Sequence, residues 1–272
     1  MVMKEEPNSS CSIGVFDSGV GGLTVLREIR NALPGEHLLY VADSQHAPYG
    51  EKSRAFIEAR SIAICEFLLQ QQVKAIVVAC NTATAAAIVT LRARFNLPII
   101  AIEPAVKPAV QHTQSGVVGV LATSGTLSSD HFMKLLVRFG SEVRVLVQPC
   151  PGLVEQVEAG HLTGGDTLAL LEKYLSPLLL QGVDTIVLGC THYPFLLPAI
   201  KNIVGTKIRV IDPAAAIANE VCRRLESAGL RSDAKGAGQE KFWTSGEIEK
   251  VCPVIEQLWG APIELRSLAT SQ

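Results

Sequence analysis

A chain of 272 residues with 48% hydrophobic and 18% charged side chains is globular in composition and long enough for about two domains. A net charge of −2 and a pI near 6.3 exclude a broad basic face, so no nucleic-acid partner is expected. The seven cysteines are odd in number and lack C-x-x-C spacing, which excludes a disulfide framework and a zinc ribbon and points to the reducing cytoplasm. The first ten residues carry Lys4, Glu5, Glu6 and Pro7 without an apolar stretch, so no signal peptide is expected there. No apolar run is long enough for a membrane span.

In chain order, short apolar β-branched runs alternate with helical patterns. Strands are predicted at Ile13–Phe16, Leu38–Ala42, Ala75–Ala79, Ile99–Ile102, Val117–Leu121, Val143–Val147, Thr185–Leu188 and Ile208–Ile211. Helices are predicted at Leu23–Ala32, Arg54–Gln71, Ala83–Phe95, Leu127–Phe139, Thr167–Leu180 and Ala214–Ser227. After a polar, Gly-rich loop at Ser232–Gln239, the tail reads as strand, helix and strand. Continuous apolar strands each followed by a helix indicate an α/β fold, with mainly parallel sheets covered on both faces. In such sheets ligands bind beyond the carboxyl ends of the strands.

The chain also repeats itself. Lys74–Thr84 (KAIVVACNTAT) resembles Asp184–Pro194 (DTIVLGCTHYP), and Ile13–Leu23 (IGVFDSGVGGL) has a weaker echo in Val118–Ser128 (VGVLATSGTLS). The two echoes lie 110 and 105 residues downstream, close enough to indicate duplication. Two pseudo-symmetric α/β lobes with a cleft between them follow. One is placed at 1–98 plus 211–272 and carries Cys80, and the other at 99–210 carries Cys190. The tail is expected to complete the first lobe.

Each lobe thus presents one cysteine at the carboxyl end of a strand. Taken singly, either is read as a buried strand-end residue, since free Cys is among the most buried types. Taken together, in matched contexts, they read as a pair of acid/base groups. Inverting a carbon that bears an acidic hydrogen needs a base on one face and an acid on the other. A thiol with a pKa near about 8.5, lowered by a helix N-terminus, suits both roles. The followers Asn81-Thr82 and Thr191-His192 are suited to bind a carboxylate or to cap the next helix.

Two further segments are candidates for the cleft. Phe16–Leu23 (FDSGVGGL) is neither G-x-G-x-x-G nor a Walker A loop, so it reads as a tight turn presenting Asp17 and Ser18. Asp17 is balanced between a helix cap and a functional group. Ala42–Ser53 (ADSQHAPYGEKS) is a polar loop long enough to reach over a site, with Tyr49-Gly50 after its proline, though taken alone it reads as a plain surface loop. Among six histidines only His192 adjoins a candidate group, and no metal-ligand spacing occurs, so no metal site is expected.

With GVFDSGVGGL, YVADSQHAPYG, ACNTAT and GCTHYP in this order, the chain resembles the glutamate racemases of bacterial cell-wall synthesis, from about Ser12 to Ser227. The resemblance implies cofactor-independent interconversion of L- and D-glutamate by Cys80 and Cys190, with Cys80 acting on D-glutamate and Cys190 on L-glutamate. Substrate contacts would fall on Asp17-Ser18, Tyr49-Gly50, Asn81-Thr82, Thr191-His192 and the threonines Thr123 and Thr126. Asp17 would assist Cys80, and His192 would assist Cys190 together with Glu158, for which Glu155 is the rival on the same predicted helix. Ala122 stands where many relatives have Gly before the first threonine. The small-molecule partner would be glutamate, a cell-wall precursor is a candidate activator, and a homodimer is allowed. Aspartate racemases and hydantoin or maleate isomerases share the cysteine pair, and a non-catalytic amino-acid-binding protein is the rival of another class.

Overall fold

The computed structural model describes residues 8–139, 142–234 and 236–268. Most of the N-terminal stretch read above for a signal peptide therefore lies outside the described residues. So do Lys235 of the Gly-rich loop and residues 269–272 of the tail.

The strands and helices alternate along the chain. The first part runs β1 (Ile13–Asp17), α1 (Leu23–Ala32), β2 (Leu38–Ala42), α2 (Arg54–Gln70), β3 (Ala75–Val78), α3 (Asn81–Arg94), β4 (Ile99–Ala101) and α4 (Val106–His112). The middle runs β5 (Val117–Ala122), α5 (Ser124–Leu127), α6 (Asp130–Phe139), β6 (Arg144–Pro149), α7 (Leu153–Glu158), α8 (Gly165–Leu180), β7 (Thr185–Leu188), α9 (Leu197–Val204) and β8 (Arg209–Ile211). The last part is α10 (Ala214–Ser227), β9 (Glu240–Thr244), α11 (Ile248–Trp259) and β10 (Leu265–Ser267).

Two parallel sheets result, in the orders β10-β9-β2-β1-β3-β4 and β6-β5-β7-β8. The run β2-β1-β3-β4 has the same order as β6-β5-β7-β8, so the sequence repeat is a repeat of topology. The central strands β1, β3 and β7 are buried along their whole length, which is why they read as unbroken apolar runs. The edge strand β6 has no fully buried residue.

The placement of the crossing at 98/99 needs correction. β4 pairs with β3, Ile76 opposite Ile99, so it closes the first sheet and does not open the second. The chain crosses after β4, because α4 packs on β5, β7 and α6. It returns after β8, because α10 packs on α1 and β4. β9 and β10 extend the first sheet beside β2, where the tail was expected. One apolar cluster joins the lobes, running from Val20 and Leu23 through Leu153 and Val157 to Leu188.

The helix predicted at Leu127–Phe139 is α6, which starts at Asp130, while Leu127 ends the short helix α5. The Ser129 hydroxyl accepts the Phe132 N–H at 3.1 Å and starts a new helix there. Helices α4 and α9 escape the sequence pattern because each is only about two turns long, too short for a clear helical period.

Candidate active site

The cleft lies at the carboxyl ends of β1, β3, β5 and β7. It encloses about 260 Å³ including its mouth, and Ser18, Tyr49, Gly50, Cys80, Asn81, Thr82, Thr123, Cys190, Thr191 and His192 line it. Val154 and Gly189 also line it and do not stand out in the sequence, where apolar and small residues carry no chemical signal. Asp17, Thr126 and Glu158 stand behind these lining residues.

On the first lobe, Cys80 is the N-cap of α3, and its sulfur accepts the Ala83 N–H at 3.4 Å. Its thiol donates to Ser18 Oγ at 3.5 Å. Burial, reinforced by the nearby Asp17 charge, pushes the Cys80 thiol up to about 12. The lowering expected from the helix N-terminus is therefore outweighed in this cleft. Asp17 ends β1 and is fully buried. Burial raises its carboxyl above the usual range, against the pull of His192. The Gly19 N–H donates to its Oδ1 at 2.9 Å and the Thr191 hydroxyl to its Oδ2 at 3.0 Å, so one donor comes from each lobe.

On the second lobe, Cys190 does not lead straight into a helix as expected. A 3₁₀ turn at Tyr193–Leu196 intervenes before α9. Here the partner is a side chain, with His192 Nδ1 3.6 Å from Cys190 Sγ. The opposite ring nitrogen, Nε2, lies 2.6 Å from Glu158 Oε1. Burial alone would lower the His192 pKa. Its bonds to Cys190 and Glu158 outweigh that and raise it well above the usual value. Glu158 ends α7 and is the carboxylate that meets His192, whereas Glu155 lines a neighbouring cavity.

The glycine-rich turn is explained by this interlocking. A Cβ on Gly19 would run into the Glu158 carboxylate, and one on Gly21 into the His192 ring. The Val20 N–H donates to Glu158 Oε1 at 2.7 Å. At the far wall, Thr82 Oγ1 lies 2.9 Å from Thr123 Oγ1 and 3.1 Å from Thr126 Oγ1. Between these walls the Asn81 side chain is buried with neither Oδ1 nor Nδ2 bonded. Both atoms are therefore open to a further hydrogen-bond partner.

Paired thiols on two matched α/β lobes define a class, and residues 13–221 match the Asp/Glu/Hydantoin racemase family, to which the chain belongs. Relatives narrow the branch. A glutamate racemase from Pseudomonas aeruginosa is 54% identical over 257 residues, covering 93% of this chain and 96% of that protein. Among solved structures, a glutamate racemase from Bacillus anthracis has a TM-score of 0.88 at 34% identity, covering 96% of this chain and 98% of that one. The Escherichia coli glutamate racemase, in complex with L-glutamate and the activator UDP-MurNAc-Ala, has a TM-score of 0.85 at 36% identity, covering 96% and 100%. The chain is thus an amino-acid racemase of the glutamate racemase branch. No helix among the described residues is long and apolar enough to cross a membrane.

Proposed function

We propose that the protein interconverts L- and D-glutamate in the cytoplasm by proton transfer at Cα between Cys80 and Cys190, and so supplies D-glutamate for peptidoglycan. The observation that carries this reading is that both thiols line one cleft, each backed by its own proton-handling group. Cys190 takes the Cα proton of L-glutamate while the Cys80 thiol protonates the opposite face, and D-glutamate reverses the roles.

The two groups are readied differently. The His192 ring faces the Cys190 sulfur, is itself anchored by Glu158, and can exchange a proton with that sulfur. Cys80 rests as a thiol, and Asp17 is the carboxylate available to help remove its proton. A substrate ammonium group would further favour the thiolate by its positive charge. Asn81 and Thr82 line the cleft at the start of α3, and the Asn81 amide can hold a substrate carboxylate. They also supply fixed dipoles for charge that develops as the proton leaves.

No step in this scheme requires a metal or pyridoxal phosphate. Dialysis against a chelator followed by hydroxylamine is expected to leave the rate unchanged, and a loss restored by pyridoxal phosphate would refute the scheme. Circular dichroism of the protein with L-glutamate and with L-aspartate tests the substrate. Loss of optical activity with glutamate is expected, and a higher kcat/KM for aspartate would reassign it. The complex of the Escherichia coli relative supports a cell-wall precursor as activator, which UDP-MurNAc-Ala added to the same assay tests.

A further inference from the structure

Behind the Tyr49–Gly50 wall lies a buried carboxylate that the proton-transfer scheme does not use. Asp43 follows β2 as Asp17 ends β1, and its N–H donates to the Asp17 carbonyl at 3.1 Å. It is 0% exposed. Arg60 of α2 donates to it twice, from Nη2 to Oδ1 at 2.7 Å and from Nε to Oδ2 at 3.0 Å. The Tyr49 hydroxyl donates to Oδ2 at 2.5 Å, and His46 Nδ1 lies 3.0 Å from Oδ1.

A further support comes from the C-terminal unit. The Ser245 side chain stands beside Asp43, and its hydroxyl accepts the Gln45 N–H at 3.2 Å. Ser245 lies beyond the residues 13–221 that match the family. Burial works against the Asp43 charge, but the bonds from Arg60 and Tyr49, helped by the nearby Ser245 hydroxyl, hold its carboxyl below the usual range.

These bonds converge on one wall of the cleft. A Cβ on Gly50 would stand 2.8 Å from Thr123 Cβ, and one on Gly125 would stand 2.9 Å from the Gly50 carbonyl. The turn carrying Tyr49 and Gly50 is therefore wedged between Asp43 on the first lobe and Thr123–Gly125 on the second.

We propose that Asp43 is a positioning residue: braced by Arg60 and Ser245, it pins Tyr49 and so sets the cleft width and the affinity for substrate. This rests on the racemase reading above. The test is steady-state kinetics and thermal unfolding of Asp43→Asn, Tyr49→Phe, Arg60→Lys and Ser245→Ala, on glutamate or on aspartate if the wild type prefers it. Asp43→Asn should raise KM about tenfold while kcat stays within about threefold. Arg60→Lys and Ser245→Ala should raise KM by about two- to fivefold. The double variant Asp43→Asn/Tyr49→Phe should be little worse than the worse single one, because both remove the same bond.

A purely structural role would instead lower kcat through loss of folded protein at unchanged KM, and that result overturns the proposal. If Asp43→Asn does not fold, Tyr49→Phe and Ser245→Ala, which each remove one hydroxyl, decide the matter, and an unchanged KM in both overturns it. A wild type inactive on both amino acids would sink the racemase reading, and this proposal with it. An active wild type with unaltered KM in the variants would sink this proposal alone.

Discussion

The two cysteine ends of the molecule share a strand-end position and differ in almost everything that readies the sulfur. Cys80 caps a long helix, touches Ser18 and sits near a buried carboxylate. Cys190 precedes a short 3₁₀ turn and faces an imidazole tied to Glu158. The matched positions carry different neighbours, which in the proposed scheme ready the two thiols differently. The halves are also not independent, because Thr191 bonds Asp17 and the Val20 N–H bonds Glu158.

The largest expected effect tests what the ends share. Cys80→Ala and Cys190→Ala should each lower racemisation by about a thousandfold or more, since in the proposed scheme every turnover uses both thiols. Wild-type activity in either variant would make the matched cysteines a relic of duplication.

The next test probes how the ends differ. Asp17→Asn should burden the Cys80 step and His192→Asn the Cys190 step, each slowing turnover by about a hundredfold. The equilibrium constant between enantiomers is one, so kcat/KM must fall equally in both directions. The difference is therefore sought in primary isotope effects with α-deuterated substrates. Asp17→Asn should enlarge the effect with D-glutamate, and His192→Asn the effect with L-glutamate. Equal effects with both enantiomers would show that the assisting groups are not assigned by lobe.

The smallest effects on activity, though not on stability, are expected at the opposite ends of the same two strands. Lys74 precedes β3 where Asp184 precedes β7. Lys74 is buried in an ion pair with Glu36 at 2.5 Å. Lys74→Met leaves that carboxylate unpaired and should cost about 3–5 kcal/mol in urea unfolding. Asp184 accepts bonds at 2.6 Å from the Thr113 hydroxyl and from the Gln114 and Ser115 N–H groups. Asp184→Asn should cost only about 1 kcal/mol.

Burial opposes ionisation of Asp184, but these bonds hold its carboxyl down to about 2. Its folded pKa is below the ordinary 3.8, so its stabilisation is present above that value and is lost as pH falls through about 2. Asp184→Asn should flatten the acid limb of stability against pH in that window. An unchanged acid limb would remove Asp184 from the account.

Much of the fold was legible in the sequence because β1, β3 and β7 are covered on both faces and appear as apolar runs ending in turn residues. The cysteines and their polar followers were legible for the same reason, since strand ends in a parallel sheet face the ligand. Local pattern failed where long-range contact decides. Strand β4 belongs to the first sheet only through its pairing with β3. Glu158 is distinguished from Glu155 only by its reach to His192. The Cys80 thiol lies high because burial and Asp17 outweigh the helix end, and both depend on chain segments far from it in sequence. The sequence alone determined which groups stand at the strand ends, because periodicity and turn chemistry are local. Only the tertiary structure decided which partners they meet and in what protonation state, because burial and charge proximity exist only once the two lobes have packed together.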